Sequence, residues 1–200
     1  MRILIASNNE DKIKEISEIL SPLEYEFISL KDAGIDIDVD EDKDTFMDNA
    51  YKKAIEIFNS LDKEDKKNTY VLADDTGLSV DYLNGAPGVL SARYSGFDHD
   101  YKKNNEKLLK ELEGVPLENR NAKFITAMVL LGLDKEIRVT GEAKGRIILK
   151  ESGLEGFGYD PLFYSFDLDK TFAEAKGFEK NSISHRGRAL EKLLIKFKES

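Results

Sequence analysis

No cysteine occurs in the chain. Disulfides, thiolate metal sites and cysteine nucleophiles are thereby excluded, and any bound metal must rely on oxygen ligands or on the two histidines. Long apolar runs are also missing. The N-terminal run Met1 to Ala6 passes straight into Ser7, Asn8, Asn9, Glu10 and Asp11. It is too short for a secretory signal, so a cytoplasmic protein with no membrane partner is expected. Nor is there a basic surplus: 30 Lys and Arg stand against 39 Asp and Glu, a net charge of −9. That balance disfavours a nucleic-acid backbone as the main partner and still permits a small anion held by local cations. No Walker-type glycine loop, internal repeat or low-complexity tract is present. What is there, 200 residues with 40% hydrophobic content, suits one globular domain over residues 1–200 with a core that needs no staples.

The stretch Ala73-Asp74-Asp75-Thr76-Gly77 joins an apolar run directly to two acids. Residues 70–73 read as a short buried strand, which Asp74 to Gly77 should end. In an α/β sheet, ligands bind beyond the carboxyl ends of strands. The acids are therefore either a turn-forming cluster or a site for a divalent cation and a water. Upstream, residues 2–6 form a strand, and Ile13, Ile16, Ile19 and Leu20 mark one face of a helix. The loop between them, Ser7 to Lys12, offers backbone N–H groups, amides, a hydroxyl and a lysine to a polyphosphate; a plain capping loop is the alternative. A second strand, 25–30, precedes an acidic run containing Glu41. Thr45 then opens a helix with Phe46, Ala50, Ala54, Ile57 and Leu61 as its apolar stripe, and Lys53 lies off that stripe one turn beyond Asn49. Residues 62–68 read as a connection.

Asn84 to Gly88 is a turn, Asp100 to Glu113 a charged helix, and residues 122–133 and 136–149 a hairpin in which Gly141 and Gly145 suggest a bulge or bend. Gly156-Phe157-Gly158-Tyr159-Asp160-Pro161 sets two aromatics between glycines beside an acid. It is either a core-plugging turn or a stacking platform for a planar base. Lys180 to Arg186 lead into a last helix with Ser184 as its expected N-cap. His185 and Arg186 then occupy its first turn, where cations oppose the helix dipole, a broken local rule of the kind functional sites display. His99, between two aspartates, is given no role.

An acid pair, a polar helix-entry loop, a lysine, an aromatic platform and a Lys/His/Arg cluster together suit a nucleotide and metal-assisted phosphoryl chemistry. The chain resembles the inosine triphosphate pyrophosphatase, or Ham1, family. The likeness runs through Ser7-x-Asn9-x-x-Lys12, Glu41 five residues before Phe46, Asn49-Ala50-x-x-Lys53-Ala54, Ala73-Asp74-Asp75-Thr76-Gly77-Leu78, Gly85-x-Pro87-Gly88-x-x-Ser91-Ala92-Arg93-Tyr94, Gly156 to Pro161 and Ser184-His185-Arg186. The resemblance implies hydrolysis of ITP, dITP and XTP to the monophosphate and pyrophosphate with Mg²⁺. It implies an α/β fold with a long curved mixed sheet, flanking helices in two lobes, a nucleotide cleft between the lobes, and a homodimer. By position, Asp75 would be the general base and a metal ligand, with Glu41 as the other metal ligand. Ser7, Asn8, Asn9, Glu10, Asp11, Lys12, Lys53 and Thr76 would hold the triphosphate. Phe157 would stack on the base, and Gly158, Tyr159, Asp160, Lys180, His185 and Arg186 would line the base and sugar pocket. A Maf-like hydrolase with another base preference is the alternative. Asp48 stands where the family usually has Glu, which shortens a carboxylate on the metal side.

Overall fold

The computed structural model describes residues 1–97 and 100–199; the reading of His99 falls outside them. Its strands are β1 (Arg2–Ile5), β2 (Glu26–Ser29), β3 (Thr69–Val80), β4 (Asn121–Leu131), β5 (Glu136–Ile147), β6 (Phe163–Ser165) and β7 (Lys170–Thr171). The helices are α1 (Glu10–Leu20), α2 (Phe46–Ser60), α3 (Lys63–Asn68), α4 (Tyr101–Glu111), α5 (Gly177–Ile183) and α6 (His185–Glu199). Among the described residues the strands form one mixed sheet in the order β2-β1-β3-β4-β5-β6-β7. β1 is parallel to both β2 and β3, whereas β5, β6 and β7 pair antiparallel. This is the expected α/β class with a mixed sheet. No helix among the described residues is long and apolar enough to cross a membrane.

The chain divides into two compact units. The first comprises residues 1–75, 126–141 and 188–200, and the second residues 76–125 and 142–187. In the first, the strand pleat sorts side chains onto two faces. Leu4, Val71, Ala73 and Val129 join Ala50, Ala54 and Ile57 of α2. Ile3, Leu72 and Met128 join Ile16 and Leu20 of α1 and Ala189, Leu190 and Leu193 of α6. Each helix stripe expected from the sequence thus finds a sheet face. In the second unit, Leu78, Val80, Leu108, Leu112, Phe124, Phe163 and Phe172 form a single cluster.

Three local expectations are corrected. The acids do not end a strand: β3 continues through Asp74, Asp75, Thr76 and Gly77 to Val80. Turn chemistry loses here because β3, paired with β1 only as far as Leu72, also has β4 as a sheet neighbour. Leu78 and Val80 beyond the acids are fully buried. Residues 62–68 are not a plain connection, since Asp62 caps α3 by accepting from the N–H groups of Glu64 and Asp65. Toward β6, Gly145 marks no bulge: it pairs in regular register with Ser165. A Cβ there would collide with the Tyr164 carbonyl, so the glycine serves close approach of β6.

Candidate active site

In the first unit the pleat gives the two acids different partners. Asp74 shares the face of α1, and Lys12 reaches its Oδ2 at 3.2 Å. Asp75 shares the face of α2, and Asn49 donates Nδ2 to its Oδ2 at 2.9 Å. Asn49 is itself held by Lys43, whose N–H donates to its Oδ1 at 2.8 Å. One turn further along α2, Lys53 pairs with Glu41 and donates to the Asp74 carbonyl at 3.0 Å. The spacing of four explains both contacts, because Asn49 and Lys53 share one helix face. Thr126 on β4 donates to the Asp75 carbonyl at 3.3 Å. Asp75 is only 3% exposed. Burial, with the nearby Glu41 carboxylate, pushes its pKa up to about 6, against the opposing pull of Asn49, Lys12 and Lys53. Burial works against the charge on Lys53, but Glu41, Asp74 and Asp75 outweigh it and leave this lysine above its ordinary value.

The Ser7 to Lys12 loop is a capped helix start. Asn9 is the N-cap of α1: its Oδ1 accepts from Lys12 N–H at 3.1 Å, and its own N–H donates to Ser7 Oγ at 3.2 Å. The helix begins at Glu10, two residues before the apolar stripe suggests. Asn8, Glu10 and Asp11 are exposed. The carboxylates of Glu10 and Asp11 suit the helix N-terminus and repel a polyphosphate, so these residues offer an anion their backbone N–H groups. Asp48 is exposed as well and accepts from Thr45 Oγ1 at 2.6 Å, closing the N-cap of α2.

The second unit gathers the other predicted residues. Asp160 accepts from Phe157 N–H at 2.9 Å and pairs with Lys180 at 2.7 Å through the same Oδ2. A Cβ on Gly156, whose φ is +75°, would strike that carboxylate, so glycine is required where the loop closes over its acid. Lys180, on α5 and 4% exposed, sets its Nζ 4.9 Å from the centre of the half-buried Phe157 ring. Arg186 is 1% exposed, lies 5.9 Å from the same ring centre and donates from Nη2 to Thr76 Oγ1 at 3.4 Å. Ser184 accepts from Gly187 N–H at 3.0 Å, which makes it the expected N-cap of α6. His185 stacks on Phe124, with ring centres 4.7 Å apart and planes 17° from parallel. Tyr159 is buried in the hydrophobic cluster and donates its hydroxyl to the Ser91 carbonyl at 2.8 Å. Its ring plugs the core, the alternative weighed for this motif, while Phe157 is the ring left at the loop's surface. Of the pieces not singled out from sequence, Asn49 had a signal in its four-residue spacing to Lys53. Asp74 was read with Asp75 as one acid pair, but the resemblance gave a role to Asp75 alone.

Among the described residues no three or more His, Asp or Glu side chains gather as a ready-made metal cage. The donor set does fit a hard cation of the Mg²⁺ kind, which is commonly held by one or two carboxylates and completes its shell with water and substrate phosphates. Asp75 and Glu41 supply two carboxylates, with Glu41 near enough to make Asp75 costlier to ionise.

The model of the Ham1 family matches residues 3–196. A dITP/XTP pyrophosphatase of Clostridium perfringens is 53% identical over 194 residues, covering 96% of this chain and 95% of that one. One of Clostridium tetani is 52% identical over 98% of this chain and 96% of its own. The solved structure of the Staphylococcus aureus Ham1 protein superposes with a TM-score of 0.85 at 37% identity, covering 100% of this chain and 99% of that one.

Proposed function

The chain belongs to the Ham1 family, and we propose that it hydrolyses non-canonical purine nucleoside triphosphates, ITP, dITP and XTP, to the monophosphate and pyrophosphate. The observation that carries this reading is Asp75, a buried carboxylate with its pKa pushed up to about 6 beside Glu41 and oriented by Asn49. A base works best when its pKa lies near the working pH. Asp75 takes a proton from water, the water oxygen bonds to the α-phosphorus, and the bridge to the β-phosphorus breaks with its electron pair leaving on pyrophosphate. Lys12, Lys53 and the N–H groups at the start of α1 neutralise and place the phosphates. Mg²⁺, held by Asp75 and Glu41, would supply further neutralisation of the triphosphate charge.

The base is read by the Phe157 loop in this reading. Phe157 stacks on it, and Lys180 and Arg186 present donors with no acceptor capacity. Hypoxanthine and xanthine carry a carbonyl at position 6 and satisfy such donors. The adenine amino group leaves them unpaired, which is an expensive mismatch in a buried site. The reading extends to a cytoplasmic homodimer with no membrane or nucleic-acid partner; light scattering after gel filtration should give the mass of two chains. The decisive assay incubates the protein and Mg²⁺ with ITP, XTP, dITP, ATP, GTP and dTTP. Pyrophosphate from the first three is expected. Orthophosphate as product, or equal rates on ITP and ATP, overturns the assignment.

A further inference from the structure

Helix α4 meets the Phe157 loop with side chains that no step above uses. Asn105 is 5% exposed and donates Nδ2 to the Gly158 carbonyl at 3.2 Å and to Glu151 Oε1 at 2.8 Å. Its Oδ1 is buried with no hydrogen-bond partner among the described residues. The orientation follows from the neighbours: both are acceptors, so the amide nitrogen must face them and the oxygen is left over. An unsatisfied buried acceptor costs about 1–3 kcal/mol, a penalty that an apolar residue at this position would not incur. Asn105 is therefore present to donate. One helical turn earlier, on the same face, the Tyr101 ring lies 6.2 Å from the Phe157 ring, tilted by 40°. The neighbouring Asn104 donates to the carbonyls of Ser91 and Ala92 at 3.3 and 3.0 Å. Because Tyr159 uses the same Ser91 carbonyl, α4 and the loop share one anchoring network.

We propose that Tyr101 and Asn105 are positioning residues that set base selectivity by fixing the Phe157–Gly158 segment; this deepens the nucleotide reading above and rests on it. The segment is flanked and interrupted by glycines at positive φ, +75° at Gly156 and +62° at Gly158, so its backbone has several placements available. Asn105 selects among them by holding the Gly158 carbonyl, and Tyr101 by bounding the ring. A displaced ring stacks less well on a base and shifts the base edge relative to Lys180 and Arg186, which read it. The reacting phosphate is served by Asp75, outside this segment, so the effect falls on KM and on the ITP-to-ATP ratio, with kcat preserved.

The test compares wild type, Asn105→Ala, Asn105→Asp and Tyr101→Leu in steady-state hydrolysis of ITP and ATP with Mg²⁺, each also in a Phe157→Ala background. Asn105→Asp keeps the shape, removes both donors and sets a carboxylate against Glu151. Each single variant should raise KM for ITP roughly 10-fold and shrink the ITP-to-ATP ratio of kcat/KM by a similar factor. kcat should stay within about twofold. Without Phe157 the same substitutions should add almost nothing, a pattern that a purely structural role does not produce. Should the Asn105 variants fail to fold, Tyr101→Leu, which removes only a half-buried ring, carries the same expectation. Losses confined to kcat, or effects that persist undiminished without Phe157, overturn the proposal. A wild type with no preference for ITP removes the nucleotide reading and this proposal with it. A selective wild type whose folded variants keep the full ratio removes the proposal alone.

Discussion

Asp75 and Phe157 sit in contrasting surroundings. Around Asp75 the first unit places Asp74, Glu41, Lys12 and Lys53, acids and lysines interleaved so that each carboxylate has a cation or amide within reach. Around Phe157 the second unit places two buried cations, Lys180 and Arg186, among the rings of Phe157 and Phe172, with Asp160 as the carboxylate that pairs with Lys180. The first arrangement suits charge that changes during a reaction. The second presents flat faces and fixed donors, which discriminate between planar groups. In the proposed reading the group around Asp75 reacts and the group around Phe157 chooses, and substitutions can test the two separately.

The largest expected effect removes the reacting side alone. Asp75→Asn keeps the shape and the contact to Asn49 but cannot accept a proton from water, so turnover should fall by roughly 10²–10⁴-fold. ITP binding, measured by calorimetry, should stay largely intact. A variant that turns over normally takes Asp75 out of the mechanism. Next comes the ion pair of the choosing side. Lys180→Met would leave Asp160 buried and charged without its cation, a change that typically costs about 3–5 kcal/mol. Thermal melting should report it as a loss of stability, and the Phe157 loop, which hangs from the same carboxylate, should become the first segment to exchange amide hydrogens.

The two sides also differed in how far they could be read from sequence. Helix stripes were legible because burial against a sheet imposes a period of 3.6, and α1 and α2 pack with the residues that period selects. Strand β3 was misjudged because Asp-Asp-Thr-Gly carries turn propensity, while its sheet neighbour β4, distant in sequence, decides otherwise. In the Gly156 to Pro161 motif the two aromatics have nearly the same local context, yet Tyr159 is buried in the core and Phe157 is half-exposed. Only the tertiary contact to Ser91 separates them. Asn105 left no trace, since an asparagine in a charged helix looks like a solvated position until the Gly158 carbonyl is seen beneath it.

A smaller effect sharpens the contrast through pH. Asp75 ionises near 3.8 in an unfolded chain and near 6 in the folded one. The folded state thus holds this proton more tightly, and the resulting stability is fully present below about pH 4 and lost as pH rises through 6. Above that, the ionised carboxylate costs the metal-free protein roughly 3 kcal/mol. In chelator at pH 7–8, Asp75→Asn should therefore melt higher than wild type by several degrees, about 2–4 °C per kcal/mol for a chain of this size. The difference should vanish below pH 4. An inactive variant that is more stable than its parent would mark the reacting side as strained in favour of chemistry. If the melting gap is the same at every pH, the buried carboxylate is not its source.

The smallest effect belongs to the choosing side. Phe157→Ala deletes a half-buried ring whose proposed role is stacking, an interaction worth about 1–3 kcal/mol per base. KM for ITP should rise by roughly 5- to 150-fold while kcat holds, because the contacts of Asp75, Asn49 and Lys53 do not involve Phe157. Stability should change little. The loop's closure depends on the Phe157 N–H, which alanine retains, and on Asp160 with Lys180, which the substitution leaves in place. A drop in kcat equal to the rise in KM would mean that the aromatic face also governs the reacting geometry, and the division of labour between the two units would have to be abandoned.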